Sequence, residues 1–380
     1  ERYDADTVSR VTGTPRDTFL QVAETYARKT GPTGKSGTIL YAMGTTQHTH
    51  GTQNIRAYSI LQLLLGNIGV AGGGINALRG ESNVQGSTDH GMLFNSLPGY
   101  LKAPEATDFT LADHNKRSTP VSYDPKSANW WQNYPKYMTS LLKSWYGDNA
   151  TVENDFGFGW LPKINPGSNY SHIALFEAML NGDIKGLFCW GQNPVVGSPN
   201  GHAVVEALKK LDWLVAIDLW DTETASFWDM PELNPASIET EVFLLPAAAF
   251  NEKEGSVINS GRWSQWRWQA VEPVGEARAD LEIITELMLE IIDLYEKEGG
   301  PVSDAITKLR WKDWYDNPIG KNGAESLVDL VSREINGFAE DQILNADGTV
   351  QYEKGDLLST FAHLLPDGKT SSSNWLYTQS

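Results

Sequence analysis

The chain has 380 residues, 48 acidic against 30 basic side chains for a formal charge of -18, one cysteine, 14 tryptophans and 40% hydrophobic residues. This is room for about two to three domains with sizeable cores, and the acidic excess disfavours nucleic-acid binding and a polybasic membrane anchor. A lone Cys189 excludes an internal disulfide and an all-cysteine metal site, and no apolar run nears the roughly 18 to 20 residues of a membrane span.

The first residue is Glu1, and no signal-peptide pattern precedes the first helical spacing, so the chain reads as a processed or excised piece. Phe19, Val22, Ala23 and Tyr26 predict a helix over 15–29, ending at Gly31-Pro32. The apolar run 37–43 predicts a buried strand, followed by a polar loop and a helix from about Thr52 to Leu65. Residues 99–170 are rich in Trp, Tyr, Asn, Pro and Ser and show periodicity only near 137–145, the pattern of an irregular excursion or lid. Beyond it the spacing predicts helix 173–180, strand 186–190, helix 203–211, strand 214–219 and a short strand 242–245 closed by Pro246. Such alternation means a parallel sheet with covering helices, an α/β fold. Helical spacing returns at 281–294, 304–314 and 327–335, and there is no internal repeat.

In parallel α/β sheets, ligands sit beyond the carboxyl ends of the strands. Three polar loops follow strands here: 44–51, containing Gln47, His48 and His50; Gly191-Gln192-Asn193-Pro194; and the segment from Asp218 to Thr224. Gly44 permits close backbone approach and the Gln47 amide can donate and accept, yet a solvated strand-to-helix turn has the same composition. Asp218 suits two ribose hydroxyls or two donors of a guanine edge, and equally a helix cap. His48 and His50 read either as metal ligands in an extended segment or as a hydrogen-bonding loop. Cys189 reads as a small core side chain or a nucleophile, and the Trp263, Trp266 and Trp268 cluster as packing rather than base stacking. Arg79 lies among glycines, small residues and amides, a setting for a bidentate carboxylate fork or for a surface ion pair. Neither a G-x-G-x-x-G nor a P-loop pattern occurs.

Gly44-Thr-Thr-Gln-His-Thr, the Leu63 to Gly74 segment and Asn76-Ala-Leu-Arg79-Gly-Glu-Ser-Asn-Val-Gln85-Gly are collinear with one family. Over 37–98 and 171–275 the chain resembles the catalytic subunit of molybdenum- or tungsten-dependent formate dehydrogenases, in the dimethyl sulfoxide reductase superfamily. Gly191-Gln-Asn-Pro194, the Asp218 to Ala225 stretch, Leu245-Pro246 and Glu254-Gly255 look like that superfamily's pterin-guanosine loops.

The resemblance implies a bis-molybdopterin guanine dinucleotide carrying Mo or W, held by its own dithiolene sulfurs, so that no metal ligand comes from this chain. Met43, Gly44 and Gln47 match pterin contacts, and Asn193, Ile217, Asp218 and Thr224 match guanosine contacts. His48, Gly80, Glu81, Gln85, Gly191, Gln192, Pro194, Leu219 and Thr222 complete the implied cofactor set, and Arg79 matches the arginine that the formate carboxylate approaches. The family's selenocysteine or cysteine with its following histidine, its iron-sulfur cysteines and its C-terminal barrel are not in this sequence; Glu81 stands where some relatives have an amide, and Ala247 where they have a hydroxyl. The implied organisation is an interior portion of a larger subunit: 1–85 the end of one αβα domain, 86–275 a second, and 276–380 a helical linker or tail. Implied partners are formate and carbon dioxide, the rest of the catalytic subunit with its iron-sulfur cluster, and an iron-sulfur electron-transfer subunit. The wording Gly69-Val-Ala-Gly-Gly-Gly74 and Asn76-Ala-Leu-Arg79 sits nearer the exported, periplasmic members than the cytoplasmic ones. A nitrate reductase-like enzyme and a non-catalytic scaffold subunit are the competing readings.

Overall fold

A computed structural model describes residues 3–31, 34–124, 126, 129–312 and 326–379. The chain divides into two units, one comprising Glu1–Gly86 with Val257–Gln265 and the other Ser87–Ser256 with Trp266–Ser380.

In the first unit, Asp4 caps the helix Ala5–Thr12 through Thr7 N–H, and Gly13 ends it at φ 73°. A second helix, Arg16–Lys29, leads to strand Thr38–Tyr41, which pairs in parallel with Gly74–Ala77. The strand stops two residues short of the expected Met43, because Met43–Thr46 coils into one helical turn before helix Gly51–Leu64. Two buried amides fasten the amino ends of these strands. Gln62 donates to Gly37 O at 2.8 Å and Gly74 O at 2.6 Å, and accepts from Tyr26 Oη and Asn67 Nδ2. Asn67 Oδ1 accepts from Gly37 N.

The second unit holds the expected parallel sheet, its three strands Gly186–Trp190, Trp213–Asp218 and Glu241–Pro246 adjacent in that order. Helices His172–Leu180 and Gly201–Leu208 cover one face, where Phe176, Met179, Val204 and Leu208 bury against Cys189 and Leu214. On the other face Phe188, Val215 and Phe243 stand in one row. With Ile283 and Leu287 of helix Asp280–Glu298 they line an open groove of about 550 Å³.

Residues 99–170 are more ordered than their composition predicts. They carry helices Leu111–Ser118 and Tyr134–Tyr146, and the latter is the spine of a second core. Its partners come from the end of the chain: Tyr137 stacks on Trp375 at 4.2 Å and 3°, and Ser140 bonds Thr370. The tail is helical over Ser303–Thr307 and Leu327–Asn336, and beyond 337 it forms short strands and turns instead. The helix expected over 304–314 is interrupted, ending at Thr307 with a turn over 308–310, and positions 313 and 314 lie outside the described residues. No helix among the described residues is long and apolar enough to cross a membrane.

A polar cluster lies inside this second core. Asp108 accepts from Arg117 Nη2 at 2.6 Å and from buried His114 Nδ1 at 2.9 Å. Since a carboxylate only accepts, Nδ1 carries the proton, so Nε2 accepts from Tyr134 Oη at 2.9 Å, which in turn accepts from Lys102 N–H. Arg117 holds the Asp108 carboxyl well below its ordinary range, and burial pulls the His114 pKa down. Both groups take up protons less readily folded than unfolded, so their stabilisation is present above their ordinary values, 3.8 for Asp108 and 6.5 for His114, and is lost as pH falls. The urea midpoint should therefore fall between pH 7 and 5, and His114→Gln should flatten that slope, leaving the part due to His90, which burial also pulls down. An unchanged slope in the variant would assign the dependence elsewhere.

Candidate functional site

Both parallel strand pairs deliver polar loops at their carboxyl ends. In the first unit, the turn at Met43–Thr46 follows one strand and Leu78-Arg79-Gly80 follows its neighbour, with Leu78 N–H bonding Tyr41 O at 2.8 Å. The two loops meet: a Cβ on Gly80 would stand 2.6 Å from the Met43 methyl. Gln47 Nε2 reaches Met43 Sδ at 3.6 Å and His48 Nε2 bonds Gly44 O at 2.9 Å, while the space where a Gly44 side chain would project is open. His48 and His50 are exposed, and among the described residues no cluster of three His, Cys, Asp or Glu side chains could hold a metal ion.

Arg79 is exposed, and its guanidinium makes no hydrogen bond or ion pair among the described residues. Its backbone, by contrast, is anchored: Arg79 N–H donates to Ser260 Oγ at 3.0 Å, and nearby Asn83 Oδ1 accepts from Ile258 N–H at 3.0 Å. Sequence reading missed Ser260 and Asn83; the turn-forming Asn259-Ser260-Gly261 was the available signal. Glu81 is exposed and Gln85 buried on the same segment.

In the second unit, Gly191 turns at φ 57° with open space beside its Cα, and its N–H bonds Ile217 O at 2.8 Å, joining two strand ends. Asn193 Oδ1 accepts from the buried Thr224 hydroxyl at 2.8 Å, and that hydroxyl accepts from Val195 N–H at 3.1 Å, fixing the chain beyond buried Pro194. Asp218 Oδ1 accepts from Leu219 N–H at 2.7 Å, and its other oxygen has no partner among the described residues. Thr222 O caps the turn that returns at Ser226. Cys189 donates to Gln192 O at 3.3 Å; burial, with the Asp218 charge adding, pushes its thiol up to about 11, so it is an unreactive core thiol at neutral pH.

The molybdopterin oxidoreductase family matches residues 4–290. The chain belongs to this family. Among relatives, the formate dehydrogenase subunit alpha of Megalodesulfovibrio gigas is 49% identical over 380 residues, all of this chain and 36% of that protein. Formate dehydrogenase 2 subunit alpha (cytochrome c-553) of Nitratidesulfovibrio vulgaris is 49% identical over 382 residues, again all of this chain and 36% of that protein. The nitrate-inducible formate dehydrogenase major subunit of Escherichia coli is 45% identical over 383 residues, all of this chain and 37% of that protein. The chain thus spans little more than a third of the length of the curated relatives it matches. Membership in the molybdopterin oxidoreductase family implies a molybdopterin cofactor.

The residues present suit that group. In the first unit the open backbone at Gly44, and in the second the open backbone at Gly191, a carboxylate with a free oxygen, and amides and hydroxyls at strand ends, each supply donors and acceptors suited to a polar cofactor. Thr224 is the keystone of the second set. Thr224→Val leaves Val195 N–H and Asn193 Oδ1 without partners, and should cost about 1–3 kcal/mol, read as a lower urea midpoint at unchanged slope. Thr224→Ser keeps the hydroxyl and should lose less than half as much.

Proposed function

We propose that this chain is part of the catalytic subunit of a formate dehydrogenase, interconverting formate and carbon dioxide with a bis-molybdopterin guanine dinucleotide centre of Mo or W. The 45–49% identity to formate dehydrogenase subunits over the whole chain supports the reaction class. The observation that carries the assignment within this chain is the uncommitted Arg79 guanidinium on an anchored backbone.

Two-electron redox chemistry is what the bound group supplies. This chain's contribution is binding and orientation. Arg79 takes the formate carboxylate in a bidentate fork and neutralises it, fixing which way the C–H points. Met43, Gly44 and Gln47, with His48, Gly80, Glu81 and Gln85 beside them, hold pterin. The Gly191-Gln192-Asn193-Pro194 turn and Ile217, Asp218, Leu219, Thr222 and Thr224 hold guanosine. Electrons leave through iron-sulfur clusters borne by the rest of the subunit and by an electron-transfer subunit. A periplasmic location is part of the proposal, supported by the wording of 69–79.

In the intact enzyme, Arg79→Lys keeps the charge but loses the planar fork, so formate turnover should fall by about 10²-fold with metal and pterin content near normal. Unchanged kinetics would remove Arg79 from the active site. Asp218→Ala should behave in the opposite order, losing bound guanine nucleotide along with activity; full occupancy with lost activity would give Asp218 a different role. Nitrate reduction without formate oxidation would replace the substrate assignment altogether.

A further inference from the structure

Between Thr222 and Thr224 stands a carboxylate that neither spacing nor resemblance singled out. Glu223 Oε2 accepts from Asn193 Nδ2 at 2.6 Å, while Asn193 Oδ1 accepts from Thr224 Oγ1 at 2.8 Å. The amide is gripped at both ends, but the two grips differ in kind. A hydroxyl donates or accepts, so Thr224 alone would tolerate the Asn193 amide in either of its two flipped orientations. A carboxylate only accepts. Glu223 therefore admits the amide solely with its nitrogen facing the carboxylate, since the flipped form would set amide oxygen against carboxylate oxygen. Its own backbone and the Asn193 amide hold the Glu223 carboxyl below the usual range, so it stays ionised at neutral pH. Once both grips are made, Asn193 retains one N–H and one oxygen lone pair for a ligand.

We propose that Glu223 is a positioning residue that locks the Asn193 amide in the orientation in which its spare N–H and lone pair meet the guanosine half of the dinucleotide. This rests on the reading of Asn193 as a guanosine contact. With Thr224 still holding the side chain, two amide orientations remain, so an amide without Glu223 would hold the competent one roughly half of the time and bind about twofold more weakly.

The test is a double-mutant cycle in the full-length subunit, reading guanine nucleotide retained per polypeptide after extended dialysis, with the thermal midpoint measured in parallel. Glu223→Ala should lower retention about twofold in the wild-type background and have no further effect on top of Asn193→Ala. Glu223→Gln keeps the reach but can turn either a donor or an acceptor to Asn193, so it should fall between Glu223→Ala and wild type. An equal effect of Glu223→Ala in both backgrounds, or a lowered thermal midpoint with retention unchanged, would make Glu223 merely structural and overturn the proposal. If Asn193→Ala lowers retention and Glu223→Ala does not, the positioning role alone falls. If Asn193→Ala is itself silent, the guanosine reading falls and the proposal with it.

Discussion

Parallel pairing of strands is the constraint on which the rest depends. Two parallel neighbours release the loops that follow them at the same edge, so residues far apart in sequence arrive side by side without any contact designed between them. The pairing of 38–41 with 74–77 brings the Met43 methyl against Gly80. The pairing of 186–190 with 213–218 does the same for Asn193 and Thr224, 31 positions apart. The amino ends of the first pair are closed by Gln62 and Asn67, which leaves the carboxyl ends as the place where polar groups keep spare capacity.

That difference in capacity separates two kinds of amide in one molecule. Gln62 donates twice and accepts twice, all four bonds to protein, and it is fully buried. It can only hold structure. Asn193 fills one donor and one acceptor position and lies half-buried. The contrast separates an amide that can only hold structure from one with capacity left for a ligand, a distinction that burial or residue type alone would not supply.

The strands and the loops after them were legible because runs such as Gly186–Trp190 and Trp213–Asp218 are short, apolar and bounded by polar turns. Within the loops, Asn193 and Asp218 could be picked out by chemistry, but the family resemblance was needed to give them roles. What the sequence hid has a common cause. The helix Tyr134–Tyr146 is recognisable, yet its partners Thr370 and Trp375 lie more than 200 residues away, 230 for the Ser140 pair, and no local periodicity reports such a distance. Ser260 was hidden from Arg79 in the same way, by 181 residues. Glu223 was overlooked for a different reason: acidic residues are common in polar loops, and only its bond from Asn193 Nδ2 sets this one apart.

The first unit also has a history written into it. Its segment Val257–Gln265 follows the remainder by some 170 residues of chain that fold elsewhere, and the bond from Arg79 to Ser260 closes a separation of 181. During synthesis, at about 5–20 residues per second, Arg79 would leave the ribosome's catalytic centre roughly 10–40 s before the residue that anchors it. For that interval the Arg79 loop lacks its anchor, and the nascent chain has a window in which the unit can be held open or misassembled. A cell making this protein must keep that half-built unit from aggregating until the missing segment arrives.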